Sequence, residues 1–370
     1  MLIKRVGIFA ILCVLLIGFP RSSVAQIGDA GAILQAGQED ANTLFKAYFA
    51  PFGKGFGTAL NTGWSNSAKS HSTLGFDISI NASLARVPGA DRNFNIKKLD
   101  LKNLVYVEEE SSSPLTPTAF GNDQPGPTMA SYYTNPQTGQ REQLFNFDMP
   151  QGAGFHYVPA PMIQASVGLI KKTDISLRYM PSISLPKDIN LNLFGVGLKH
   201  DITQWLPGDT FIPVNIAIQA GFTKLNTSID FEVTPPDRSD IKNDYSASTW
   251  EGQKADLSSN AFTINALVGK SLPFVAVYGG FGYETSSLRI RTPGSYPIVV
   301  PNEDYQPNNT DSKSKIIQKV KNPIDISYGN ESSFRGLLGL RLKLGFFNIN
   351  ASYTLSRYPV GRVGIGFSFR

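Results

Sequence analysis

Cysteine is almost missing from this chain of 370 residues: the one present is Cys13. It falls in an N-terminal stretch expected to be removed, and Leu12 before it is too large for a lipoprotein cleavage site. The mature chain can then form no disulfide and hold no cysteine-bound metal. Histidine is scarce too, with His71, His156 and His200. None stands at metal spacing from another, and neither H-E-x-x-H nor G-x-S-x-G occurs. His156 and His200 fall in a loop and a turn, where a histidine is a surface residue. No candidate strand carries a histidine on its polar face, where a base would have to stand beside a nucleophile on the next strand. The expectation is no enzyme, no cofactor and no metal site.

Charge is sparse as well, at 17% of residues. The net charge of +5 includes Lys4, Arg5 and Arg21, whose removal leaves +2. That balance gives no nucleic-acid footprint. After residue 25 no apolar run approaches the length of a helical membrane span. The longest, 274–283, is interrupted by glycines. Helical spans are excluded, so only a closed barrel could cross a membrane.

The first 25 residues read as a signal peptide. Lys4 and Arg5 are followed by an apolar run over 6–19, and Ser23-Val24-Ala25 places small residues where a signal peptidase reads. Cleavage is expected after Ala25. Residues 26–54 read as an N-terminal helical segment. Ala41, Leu44, Phe45, Tyr48 and Phe49 fall at helical spacing, and Pro51 with Gly53 is expected to stop the helix. Such a segment is either a plug inside a barrel or a periplasmic helix on its lower rim. Residues 55–370 are assigned to the barrel.

What the chain has in quantity is Gly (34), Phe (24) and Tyr (14), with strict alternation at its C-terminal end. Phe347, Ile349, Ala351, Tyr353 and Leu355 alternate with Asn348, Asn350, Ser352 and Thr354. Val363, Ile365, Phe367 and Phe369 alternate with Gly364, Gly366 and Ser368. A strand sends successive side chains to opposite faces, so this is a hairpin with one greasy and one small, hydroxylated face. A membrane barrel turns the first to lipid and the second to its lumen. The predicted fold is an all-β, transmembrane antiparallel β-barrel with a short N-terminal helix.

Candidate strands lie at 56–64 (weak), 74–84, 96–107 (poorly alternating), 162–170, 173–181, 190–199, 212–233, 259–269, 274–292, 333–343 and in the closing hairpin. About twelve strands are expected, and ten if the two weak ones are dropped. Splitting two long strands gives fourteen, but moves the 234–258 loop to the wrong side. With twelve, the connections at 108–161, 182–189, 234–258, 293–331 and 357–359 all fall outside, and ten keeps the same parity. Those at 86–95, 171–172, 200–211, 270–273 and 344 fall inside.

Three strands invert their phase. Along 212–233 the apolar face is Val214, Ile216, Ile218, Ala220 and Phe222; beyond Thr223 it becomes Leu225, Ile229, Phe231 and Val233. Along 274–292 Leu288 and Ile290 move to the formerly polar face. Leu191 and Leu193 share a face with Gly195 and Gly197. One reading is strands that project beyond the bilayer and turn apolar groups inward, giving a ligand-binding apolar mouth of Leu191, Leu193, Leu225, Ile229, Phe231, Leu288 and Ile290. Bulges or packing under loops are the alternative. The lumen face carries Asp77, Asp174, Arg178, Arg335, Arg341, Lys343 and Arg362. These either pair to fill a narrow lumen or line a weakly anion-favouring pore. The triplet Glu108-Glu109-Glu110 is a weak cation site at best and reads as solvated loop.

The run AYFAPFGKGFGTALNTGW at 47–64, with LGFDISI at 74–80, KKTDISLRYMP at 171–181 and GVGLKHDITQWLPG at 195–208, resembles an uncharacterised family of outer-membrane barrel proteins of Bacteroidetes-type bacteria. The similarity covers most of the mature chain and brings no activity with it. An N-terminal segment ahead of a barrel with an apolar interior is also remotely similar in architecture to the long-chain fatty-acid transporters. The alternating terminal strand resembles the C-terminal signature of bacterial outer-membrane barrels, with Arg370 after Phe369 as a departure. These resemblances imply the outer membrane of a Gram-negative bacterium, with membrane lipid and the barrel-assembly machinery as partners. The expected function is passive uptake or binding of a small hydrophobic compound. The alternative is a structural or surface-interaction barrel without transport activity.

Overall fold

Ten antiparallel strands close into a barrel in the computed structural model, which describes residues 33–34, 37–108, 113–135, 139–185, 189–207, 213–230, 232–306, 308–309 and 312–369. The expected signal peptide and its cleavage site lie outside those residues. The strands are β1 (Phe76–Arg86), β2 (Tyr157–Leu169), β3 (Thr173–Leu185), β4 (Ile189–Asp201) and β5 (Asn215–Asp230). They continue as β6 (Lys254–Ser271), β7 (Val275–Arg291), β8 (Asp325–Leu344), β9 (Phe347–Leu355) and β10 (Val360–Phe369). Each pairs with its sequence neighbour, and β1 closes on β10 with Phe76 opposite Phe369. Closure leaves no free edge on the wall.

Alternation decides which way each side chain points. On β1 the residues Asp77, Ser79, Asn81 and Ser83 are buried inward, while Ile78 and Leu84 are exposed on the outside. On β9 and β10 the outward set is Phe347, Ile349, Tyr353, Leu355, Val363, Ile365, Phe367 and Phe369. The outer wall is therefore a belt of Leu, Ile, Val and aromatic side chains, the surface a barrel presents to lipid.

The two ends differ. At the end where β1 starts and β10 finishes, turns are short. Lys171 and Lys172 take positive φ values of 54° and 50° in the β2–β3 turn, the conformation that matches strand twist in a two-residue hairpin. An aromatic girdle rings this end, with Phe346 5.8 Å from Phe367 and Phe76 5.9 Å from Phe369. At the opposite end the long connections fold into a cap. One cap sheet joins Leu104–Tyr106, Thr128–Thr134 and Arg141–Asp148, and another joins Ile241–Lys242, Lys315–Lys321 and Ser295–Pro301. Leu144, Ile241, Trp250, Val299 and Ile317 form an apolar cluster between them. Burial alone would raise the Asp240 carboxyl, but Lys315 at 3.1 Å and Arg238 hold it below its ordinary range.

Two expected strands are absent from the wall, which makes the count ten rather than twelve. Residues 56–64 belong to a helix and the segment after it. Residues 96–107 form a 3-10 turn (Ile96–Lys98) and the short cap strand Leu104–Tyr106. The 86–95 connection is thus the start of a long crossing at the cap end and not a turn at the other. The N-terminal segment also exceeds expectation. Helix α1 (Gln38–Tyr48) is followed by α2 (Ala50–Leu60), so Pro51 opens a second helix. Proline suits a first helical turn, where its missing N–H costs nothing. The boundary expected at residue 55 falls inside α2.

Candidate functional site

The lumen is filled by the chain that leads into β1. Helix α2 enters it from the cap end on a glycine face. A Cβ at Gly53 would lie 2.4 Å from the Tyr328 ring, and one at Gly57 would lie 2.1 Å from Ser286 Oγ. These positions let the helix press against the wall. Its C-terminal carbonyls, which have no partner within the helix, are taken by arginines from two walls. Arg178 on β3 donates from Nη1 to the Leu60 carbonyl (2.6 Å) and from Nη2 to the Thr62 carbonyl (2.6 Å). Arg335 on β8 donates to the Asn61 carbonyl (3.0 Å). Positive charge at a helix C-terminus is also favoured by the helix dipole.

Below α2 the segment 61–75 runs down the lumen. The Trp64 ring stacks under the Arg178 guanidinium, 3.6 Å from ring centroid to Cζ. Glycines of the wall lie against it: Cβ atoms at Gly197 and Gly221 would meet the indole at 2.5 and 2.4 Å. Tyr278 donates its hydroxyl to the Ser65 carbonyl (2.8 Å). Arg362 donates to Asn66 (2.8 Å) and Asn81 (2.6 Å). Lys199 donates to the carbonyls of Ser67 (3.3 Å) and Lys69 (3.0 Å) and pairs with Asp174 at 2.9 Å. His71 donates its main-chain N–H to Asp174 (3.0 Å), and its Nδ1 lies 3.0 Å from the same carboxylate. Cavities of about 20 and about 10 Å³ remain among these groups, each near the room one water needs.

All the inward charges read from sequence are on this wall. Asp77 pairs with Arg341 (2.6 Å), Asp174 with Lys199, and Arg335 with Glu284 (3.1 Å). Arg178 and Arg362 are fully buried and bond to carbonyl and amide oxygens of the threaded segment and wall. Lys343 sits at the short-turn rim and donates to the Leu272 carbonyl (3.2 Å). Lys199 and Glu284 were missed by the sequence reading. Alternation through Gly195 and Gly197, and opposite Phe281 and Tyr283, would have found both. Asn61, Thr62 and Trp64 were missed because 56–64 alternates weakly and passes for a wall strand, and Asn66 because it falls between two candidate strands. Of the acidic triplet, Glu108 pairs with Lys97, and Glu109 and Glu110 lie outside the described residues.

Of the apolar mouth residues, Leu193, Leu225, Leu288 and Ile290 face inward at the cap end. The β4–β5 register runs unbroken through Leu193↔Leu225, so no bulge causes those inversions. Between β7 and β8 the register shifts between Ser286 and Leu288, with the extra residue on β8 near Asn330. Leu193, Leu225, Leu288 and Ile290 are buried at 1%, 4%, 2% and 9% exposure, in one cluster with Leu44, Phe45, Phe56 and Leu60 of the two helices. Leu191 packs at its margin, Ile229 is half-buried, and Phe231 lies outside the described residues. A cleft of about 300 Å³ opens near Leu191 and Leu257, edged by Asn226, Ser228, Asp256 and Arg291.

An alternating lipid belt, an aromatic girdle, short turns at one end and long connections at the other make this an outer-membrane β-barrel fold, occupied by its own N-terminal segment. The model of a family of unknown function (DUF6588) matches residues 3–369, and the chain belongs to that family. No curated protein matches it in sequence. Among solved structures it is similar to the translocator domain of autotransporter NalP from Neisseria meningitidis, at 11% identity over 81% of this chain and 90% of that one, with a TM-score of 0.26. It is similar to Ail, the attachment invasion locus protein of Yersinia pestis, at 11% identity over 80% and 100% of the chains, TM-score 0.26. A mutant of the TodX monoaromatic hydrocarbon channel matches at 7% identity over 80% and 68%, TM-score 0.24. Likeness at this level extends to barrel architecture and no further.

Proposed function

We propose that this protein is a closed outer-membrane barrel whose working part is the cap, held out from the cell surface to meet an external partner. The observation that carries the reading is the threaded segment 61–75, bonded to the wall through Arg178, Arg335, Arg362, Lys199 and Tyr278. A solute path through the lumen would have to break all of these. The cap adds weight. A barrel needs only turns to close its strands, yet among the described residues these connections build three small sheets and an apolar cluster of their own. Long connections of an outer-membrane barrel face outward.

Uptake or binding of a small hydrophobic compound is the second reading, favoured by the inward apolar residues at the cap end. For a ligand to use them, α1 and α2 would have to yield, because the helices already occupy that surface. Leu225→Asp and Leu288→Asp separate the two. Under the closed reading, wild-type protein in vesicles admits a hydrophobic probe no faster than protein-free vesicles. Both variants then show faster protease cleavage of the cap with unchanged uptake. Wild-type uptake above background that either variant abolishes would overturn the closed reading in favour of transport.

A further inference from the structure

The route of the chain before β1 has a direction. Helix α1 is bonded to the cap end from several sides. Asp40 is fully buried, and its carboxylate accepts the main-chain N–H groups of Lys102 (2.7 Å), Asn103 (2.7 Å) and Leu104 (2.9 Å). Asn42 donates to the Pro323 carbonyl (2.8 Å) and accepts from the Asp325 N–H (2.9 Å). Tyr328 donates its hydroxyl to the Lys46 carbonyl (2.8 Å), and Ala119 its N–H to the Tyr48 carbonyl (2.9 Å). Each partner belongs to a cap connection or to the cap end of β8. From α1 the chain descends through α2, Trp64 and Ser67 to Leu74, whose N–H donates to the Gly168 carbonyl (2.8 Å) at the short-turn end. Only there does β1 begin.

We infer that the barrel carries its own N-terminal portion across the outer membrane, so that α1 lies on the outer surface of the cell while β1 starts on the periplasmic side. This rests on the cap facing outward, as proposed above. An exported chain arrives from the periplasm, so the part now above the lumen has crossed the membrane plane. The segment that follows α1 runs directly into β1, the strand that closes the wall against β10, so the β1–β10 seam before it pairs is the way by which α1 reaches the cap end.

The chain's single cysteine, Cys13, lies in the expected signal peptide, so introduced thiols report alone. Glu39→Cys and Lys46→Cys place a thiol on the exposed side of α1, Asn243→Cys in the cap, and Leu272→Cys in a short turn. Cells expressing each are treated with a membrane-impermeant maleimide, intact or with the outer membrane opened, and heat-modifiability confirms that each barrel has folded. Both α1 thiols and Asn243→Cys are expected to label on intact cells, and Leu272→Cys only after opening. Labelling of the cap thiol but not the α1 thiols on intact cells would overturn the inference while leaving the outward cap standing. Labelling of Leu272→Cys but not Asn243→Cys on intact cells would overturn the outward cap, and with it both claims.

Discussion

At the scale of single residues, the lumen is organised around Trp64 and the absence of side chains facing it. Three positions on β4 and β5 are glycine where the indole lies, and Arg178 covers its other face. In a packed interior an added methyl must displace something, at a cost of about 1–3 kcal/mol. Gly221→Ala, whose new Cβ would stand 2.4 Å from the indole, is expected to lower the temperature at which the barrel loses its heat-modifiable form. Trp64→Leu opens space at the same spot. The double variant should lose less than the two single losses added together, because contacting residues couple where distant ones add. Strict additivity would mean that Trp64 does not sit on Gly221.

At the scale of elements, legibility followed alternation. β1, β9 and β10 were readable residue by residue because lipid on one side and a polar lumen on the other enforce a period of two. Projection of β4, β5 and β7 past the lipid belt was readable from Leu193, Leu225 and Leu288, since an unbroken register carries the phase through. Helix α2 was not readable. Gly53, Gly55 and Gly57 lower helix propensity, and their reason for being there, close approach to Tyr328, Tyr358 and Ser286, exists only in the fold. The cap sheets were hidden in Ser, Pro and Thr-rich sequence that has the composition of loop. The β8 irregularity was also invisible, because Gly329 and Asn330 look like a turn. Its effect is to flip parity: Ile326 and Tyr328 face inward above it, and Arg335 and Arg341 below it. Deleting Asn330 alone should only make the ladder regular, with Tyr328 and Glu331 left on their present faces. Deleting Gly329 as well should set Tyr328 directly beside Glu331 and turn Ile326 and Tyr328 outward, since a one-residue slip moves every side chain to the other face. The expected outcome of the double deletion is an intact lower barrel with a cap cleaved much faster by protease. A cap as resistant as wild type would show that the irregularity does not set the phase.

At the scale of the whole molecule, the barrel and its N-terminal segment are electrostatically incomplete without each other. The wall presents Arg178, Arg335, Arg341, Arg362 and Lys199 to the lumen against Asp77, Asp174 and Glu284, so cations outnumber carboxylates. The surplus is met by the segment's backbone: the carbonyls of Leu60, Asn61, Thr62, Ser67 and Lys69 all accept from these side chains. Main-chain oxygens at a helix C-terminus carry partial negative charge and serve here as the counter-ion. Taking the segment away would leave a glycine-lined channel with uncompensated guanidinium groups, and such groups favour anions. Protein lacking residues 33–72, refolded in detergent and checked for heat-modifiability, is therefore expected to conduct in planar bilayers with a reversal potential on the anion side under a salt gradient. The full-length chain should stay silent in the same bilayers. Adding Arg178→Gln and Arg362→Gln to the shortened protein should move the reversal potential toward zero without closing the pore. A cation-selective pore in the shortened protein would refute this account of the lumen charge, and steady conductance in the full-length chain would refute the seal.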